Sequence, residues 1–120
     1  MKNIFFITLL FIAFGSFAQT TAEERATSQS TRMKTELNLS DDQYAKVYEI
    51  NLGIIQKNDG IKSSTYSEEV RQEIIRSNEH ARRAMLKDVL TAAQYEKLEK
   101  KAKAAKKKKR EKAKNTEIKN

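Results

Sequence analysis

The sequence predicts an all-α protein: about four helices in an antiparallel hairpin or cradle-like layer, with a frayed basic C-terminal tail. Three observations lead there. The 120 residues include no Pro and only three Gly, too few to supply the turns of a strand-rich fold. Four segments open on a hydroxyl residue with Glu or Gln three positions on, the capping-box signature of a helix start. Behind each, apolar residues recur at spacings of three and four. With no Cys and one His, the chain has no disulfide framework, no thiolate metal site and no Ser-His-Asp set, so an enzyme is not expected.

The first 18 residues stand apart. They hold 13 of the 46 hydrophobic residues and all five Phe. Lys2, the apolar run Ile4–Phe14 and Ser16-Phe17-Ala18 follow the order of a secretory signal peptide, with cleavage expected before Gln19. The run is too short for an ordinary membrane span. The expected organisation is a signal peptide over 1–18, a helical domain over 19–105 and a Lys-rich tail over 106–120. The domain is thinly apolar: 33 hydrophobic residues remain, eleven of them Ala. At roughly 1.5–3 kcal/mol per fully buried aliphatic side chain, such a core makes a compact monomer marginal, and a thin layer that gains burial by pairing with another chain is an economical alternative.

The helices follow in order. Thr21 with Glu24 caps a first helix that carries Ala22, Ala26, Met33 and Leu37, with Gln29 or Ser30 filling the gap, and ends near Leu37. Ser40 with Gln43 caps a second. Asp41 and Asp42 meet the positive end of its dipole, Leu39 and Tyr44 are placed as a hydrophobic staple, and Asn58-Asp59-Gly60 is a stop signal. Thr65 with Glu68 opens a third helix over about 66–89, whose stripe Val70, Ile74, Ser77, Ala81, Met85 and Val89, flanked by Ile75 and Leu86, is expected to face the core. Thr91 with Gln94 caps a fourth, which carries Leu98, Ala102 and Ala105 before the run Lys106–Arg110, where crowded like charge predicts fraying.

The second and fourth starts are copies. Leu39-Ser40-x-x-Gln43-Tyr44 recurs 51 positions on as Leu90-Thr91-x-x-Gln94-Tyr95. As physics, each is a good N-cap, contributing about 0.5–2 kcal/mol. As a pattern, a doubled element behind a signal peptide resembles the LTxxQ-motif (Spy/CpxP-like) periplasmic proteins. The resemblance covers most of residues 21–101. It implies a curved, four-helix, usually dimeric subunit without cofactor, acting as an ATP-independent chaperone for unfolded envelope proteins or as an envelope-stress modulator. Client contact is then expected on the apolar face, helped by Arg71, Arg76, Arg82 and Arg83.

Other candidates have simpler explanations. His80 lacks companion ligands, Met33 and Met85 sit at core spacing, and Asp41 and Asp42 belong to a helix first turn. The tail is the rival functional element. Residues 19–96 carry 11 basic and 13 acidic groups, whereas residues 97–120 carry 12 and 3, so the whole basic excess is C-terminal. Lys106, Lys107, Lys108, Lys109 and Arg110 suit either a solvated, solubilising extension or attraction to anionic lipid, lipopolysaccharide or acidic stretches of unfolded clients, and the attraction would make the protein an electrostatic adaptor. Nucleic acid is a poorer fit, because no aromatic residue follows Tyr95 to stack on bases.

Overall fold

A computed structural model describes residues 20–118; the expected signal peptide lies outside them. Four helices follow one another: α1 (Ala22–Leu37), α2 (Asp41–Lys62), α3 (Glu68–Val89) and α4 (Ala92–Ile118). The fold is all-α, as the spacing and caps predict. α2 packs along both α1 and α3, while α4 meets α1 and α3 only briefly. The core lies where the helix ends converge, with Met33, Leu37, Leu39, Val47, Leu86 and Leu90 buried together and Ile50, Val89, Tyr95 and Leu98 packed against them.

The caps explain the boundaries. Thr21 Oγ1 accepts from the Glu24 N–H at 3.1 Å, and the Glu24 carboxylate accepts from the Thr21 N–H at 3.0 Å. α1 closes on Asn38, whose backbone is left-handed at φ 54°, a conformation Asn tolerates. The Leu39 N–H then closes back on the Lys34 carbonyl at 3.1 Å, which turns Leu39 into the core. The staple partner Tyr44 is half-buried, with the Lys34 ammonium 5.2 Å from its ring centre.

Three boundary expectations are corrected. α2 does not stop at Asn58-Asp59-Gly60 but runs to Lys62 and is closed by Ser63. Gly60 keeps a negative φ, and Asp59 is held by the Arg25 guanidinium of α1 rather than breaking its helix. The α3 cap is Ser67, not Thr65, with Ser67 Oγ accepting from the Val70 N–H at 3.4 Å. α4 continues as helix through the Lys run to Ile118 instead of fraying. Once its start is capped, each added Lys, Ala, Arg or Glu propagates at little cost. Like-charge pairs oppose this by only about 0.2–0.5 kcal/mol each.

The stripe expected to face the core on α3 is corrected in part: Val89 and the flanking Leu86 do meet the core, but most of the stripe does not. Val70 and Met85 are 40% and 39% exposed, and Ser77 and Ala81 are exposed too. The residues turned inward are Arg82 and Leu86, with Arg71, Ile75, Asn78 and Val89 half-buried along the same line. The helix is rotated by about one residue, roughly 100°, from the register that hydrophobicity alone selects.

Candidate functional site

Three features stand out from the residues upward: a node that joins the two sequence copies, a polar cluster between α2 and α3, and an apolar groove beside it.

The node is built on the doubled caps. Ser40 Oγ accepts from the Gln43 N–H and Thr91 Oγ1 from the Gln94 N–H, both at 3.2 Å. In return Gln43 Oε1 accepts from the Ser40 N–H at 3.0 Å and Gln94 Oε1 from the Thr91 N–H at 2.9 Å. Each box is complete by itself, yet the two also grip each other. Gln43 Nε2 donates to Gln94 Oε1 at 2.8 Å, and Gln94 Nε2 donates to Gln43 Oε1 at 3.2 Å. The remaining N–H of Gln43 goes to the Val89 carbonyl at 3.2 Å, and that of Gln94 to the Leu37 carbonyl at 3.3 Å. Both amides thus fill all their donor and acceptor positions. Two helix N-termini and two helix C-termini are tied at one point. Leu39 and Leu90 are buried on either side of it.

Sequence reasoning found the caps and missed the bridge. The signal was the residue type at the third helical position. A capping box accepts Glu as readily as Gln, and Glu24 serves α1. Only an amide can accept from its own cap and donate elsewhere as well, and both copies carry Gln.

The polar cluster uses α3's inward face. Arg82 Nε donates to Asn51 Oδ1 at 2.8 Å, and its Nη1 to Glu79 Oε1 at 2.8 Å. Asn51 Nδ2 donates to Ser30 Oγ at 2.9 Å, and Met33 Sδ lies 3.7 Å from both Asn51 Nδ2 and Arg82 Nη2. Ser30, Asn51 and Arg82 are all buried, so α1, α2 and α3 are joined by one hydrogen-bonded chain. Further along, Asn78 Nδ2 donates to Asn58 Oδ1 at 2.9 Å.

The four arginines expected to meet a client are therefore not equivalent. Arg82 is buried within the cluster. Arg71 is partly buried, paired with Glu68 at 2.8 Å, and its Nη1 reaches the Lys62 carbonyl. The Arg71 guanidinium and the Gln72 amide together hold the Glu68 carboxyl below its ordinary range, with the amide bond the larger cause. Arg76 and Arg83 are exposed. They project about half a turn round α3 from Met85 and Ala81, on the other flank of the helix.

At the Met85 end of the exposed apolar row, a groove of about 490 Å³ opens between α2 and α3. Ile50, Gly53, Ile54, Met85 and Val89 line it, and Lys46, Lys57, Glu49 and Asp88 stand at its rim. Its cations thus come from α2, a contribution that the arginine pattern of α3 did not announce. Gly53 is unusual within a helix. A Cβ built there meets nothing within 4 Å, so packing inside the chain does not require glycine at this position. Among the described residues no group of three His, Asp or Glu converges as a metal site, and no helix is long and apolar enough to cross a membrane. His80 is exposed, and Asp41 is bound to Lys34 Nζ at 2.6 Å at the start of α2.

These features define a small all-α helical layer, pinned at a doubled cap and carrying an open apolar groove. The chain belongs to the DUF4890 family, a domain of unknown function, whose model matches residues 16–120. No curated protein and no solved structure gives a significant match to it.

Proposed function

We propose that the protein is an exported, non-enzymatic binding module that holds unfolded or partly folded envelope proteins in the periplasm, as a chaperone or as a sensor of envelope stress. Its leader is cleaved before Gln19. The observation that carries this reading is the apolar surface left open on α3 and in the adjoining groove. Val70 and Met85 remain about two-fifths exposed in a chain that has little apolar surface to leave open. Exposed apolar surface bordered by charge is the mark of an interaction site. A groove shared by two helices, with Lys46 and Lys57 beside Glu49 and Asp88, suits extended or helical segments of varied sequence better than one defined small molecule. Flexible Met85 can repack against different side chains. The resemblance of Leu39–Tyr44 and Leu90–Tyr95 to the LTxxQ element supports the same reading.

The test separates binding from folding. Gly53→Leu places a side chain in open groove space, where the helix tolerates it. The variant should melt no lower than the parent. Its suppression of light scattering by an unfolding client should require at least about tenfold more protein, since a filled pocket loses the burial of several client methylenes. Met85→Lys should act in the same direction. Unchanged suppression by both variants would remove the groove from the function.

A further inference from the structure

Beyond the groove, α4 forms a second surface that the helical body does not use. From Lys103 to Ile118 every residue is exposed, and the helix runs about 22 Å at 1.5 Å per residue. Its charge is not evenly spread round the axis. At 100° per residue, Lys103, Lys106, Lys107, Arg110 and Lys114 fall within an arc of about 120°, and Glu117 is the acid in that arc. The opposite side carries Lys108, Lys109 and Lys112 among Ala104, Ala105, Asn115 and Thr116. At the far end of the five-cation row sits Ile118, 82% exposed and the most exposed large apolar residue described.

We propose that this row is a docking surface for the anionic headgroups of a lipid bilayer, with Ile118 as a shallow apolar anchor at its tip. The straight rod presents five cations along one line, which fits a flat surface of negative charge. The rod lacks the continuous apolar face of an inserting amphipathic helix, so it lies on the headgroups and does not enter the chains. Ile118 distinguishes the bilayer from other polyanions. An apolar side chain beside the cations gains from the headgroup–acyl boundary, whereas a nucleic-acid backbone offers it nothing and α4 has no aromatic residue beyond Tyr95 to stack on bases. The inference is independent of the groove, which lies between α2 and α3.

The experiment compares two triple variants of equal net charge in the purified protein. Lys107→Gln, Arg110→Gln and Lys114→Gln remove three of the five cations of the row; Lys108→Gln, Lys109→Gln and Lys112→Gln remove the three of the opposite side. Gln and Lys have similar helix propensity, so both variants should show the parent's circular dichroism. Co-sedimentation is measured with phosphatidylglycerol vesicles, with phosphatidylcholine vesicles as the neutral control. At about fivefold per basic residue near the surface, the row variant should lose on the order of 100-fold in 0.1 M salt. The opposite-side variant should lose no more than about tenfold, because its charges stand a helix diameter further out, about one Debye length at 0.1 M salt. Ile118→Ser should weaken vesicle binding several-fold and leave retention of a 20-base-pair DNA duplex unchanged. Equal losses in the two triple variants, no preference for the anionic vesicles, or tighter binding to the duplex than to the vesicles would each overturn the proposal.

Discussion

The two sides of α3 depart from the usual amphipathic helix. The side against α2 carries Arg71, Asn78 and Arg82 among Ile75 and Leu86, while the outer flank carries Val70, Ala81 and Met85. The inner side is held by hydrogen bonds as much as by burial, since Arg82 reaches Asn51 and Glu79, and Asn78 reaches Asn58. Polar groups in the contact fix one rotation of α3, because any other leaves Asn51 and Arg82 unpaired in a buried place. The apolar row is thereby left for something outside the chain. A helix that buries polar groups beside Ile75, Leu86 and Val89 and leaves Val70, Ala81 and Met85 outside has exchanged some internal packing for an open surface.

The largest effect we expect comes from breaking the inner side. Arg82→Met keeps length and apolar stem but leaves Asn51 Oδ1 without its donor, and should cost about 2–3 kcal/mol in urea denaturation. Adding Asn51→Leu removes the orphaned group and should recover at least half of that loss, since replacing both partners is far less costly than removing one. A loss below about 0.5 kcal/mol for Arg82→Met, the range of ordinary surface substitutions, would show that the cluster does not hold α3.

The same contrast marks what the sequence could tell. The helix starts were legible at Thr21, Ser40 and Thr91, because a cap is a local interaction between residues three apart. The all-α class followed from them. The rotation of α3 was not legible, because periodicity sorts residues by hydrophobicity and cannot see that Arg82 has a partner 31 positions away in Asn51. The α2 terminus was misplaced for the same reason, since Asp59 read as a breaker and is an ion-pair partner of Arg25. At the candidate site, the row Val70–Met85 was visible as a stripe but assigned to the core. The cations of the groove, Lys46 and Lys57, lie on α2 and no pattern on α3 points to them.

A second, smaller effect addresses how α3 is held at its end. The Val89 carbonyl is bound by Gln43, so the node contributes to fixing the rotation that exposes Met85. Gln43→Ala and Gln94→Ala should each cost about 1–2 kcal/mol, as the loss of several hydrogen bonds around an N-cap. The double variant should cost less than the sum, with a coupling of at least about 0.5 kcal/mol, because each amide bonds the other. Strict additivity would mean that the two boxes act separately. Gln43→Glu with Gln94→Glu sharpens the point: both caps keep an acceptor, but two carboxylates then face each other and the bridge has no donor.

The outer side allows a test with the opposite sign. Gly53→Ala should raise stability by about 0.5–1 kcal/mol, the ordinary gain for a helix-interior glycine whose position can hold a Cβ. The new methyl meets nothing within 4 Å, so no clash offsets the gain. A stabilised variant that suppresses client aggregation less well than the parent would show glycine kept for the groove at the expense of the helix.

The smallest effect concerns the α1–α2 contact, which is tied at its ends by exposed ion pairs in addition to the buried Ser30–Asn51 bond. Arg25 holds Asp59 at the α2 C-terminus, and Lys34 holds Asp41 at its N-terminus. In both carboxylates the pKa lies below the ordinary value, with the hydrogen bond from the basic partner the largest cause. A lowered folded pKa means that the unfolded chain takes up the proton first as pH falls. The contribution is therefore fully present above the unfolded value of about 3.9 and is lost as pH drops through the folded value. Because both pairs are open to solvent, salt should weaken them further. Thermal melts followed by circular dichroism should be nearly flat from pH 7 to about pH 5 and decline below about pH 4. Asp59→Asn should lower the melting temperature slightly at pH 7 and reduce the decline in acid, while the Arg82→Met deficit, which comes mainly from the orphaned Asn51 amide and less from the Glu79 ion pair, should persist at neutral pH and in high salt. If Asp59→Asn matched Arg82→Met in size at pH 7, the exposed pair would hold α1 to α2 as firmly as the buried cluster holds α3, and the contrast between the two contacts would be lost.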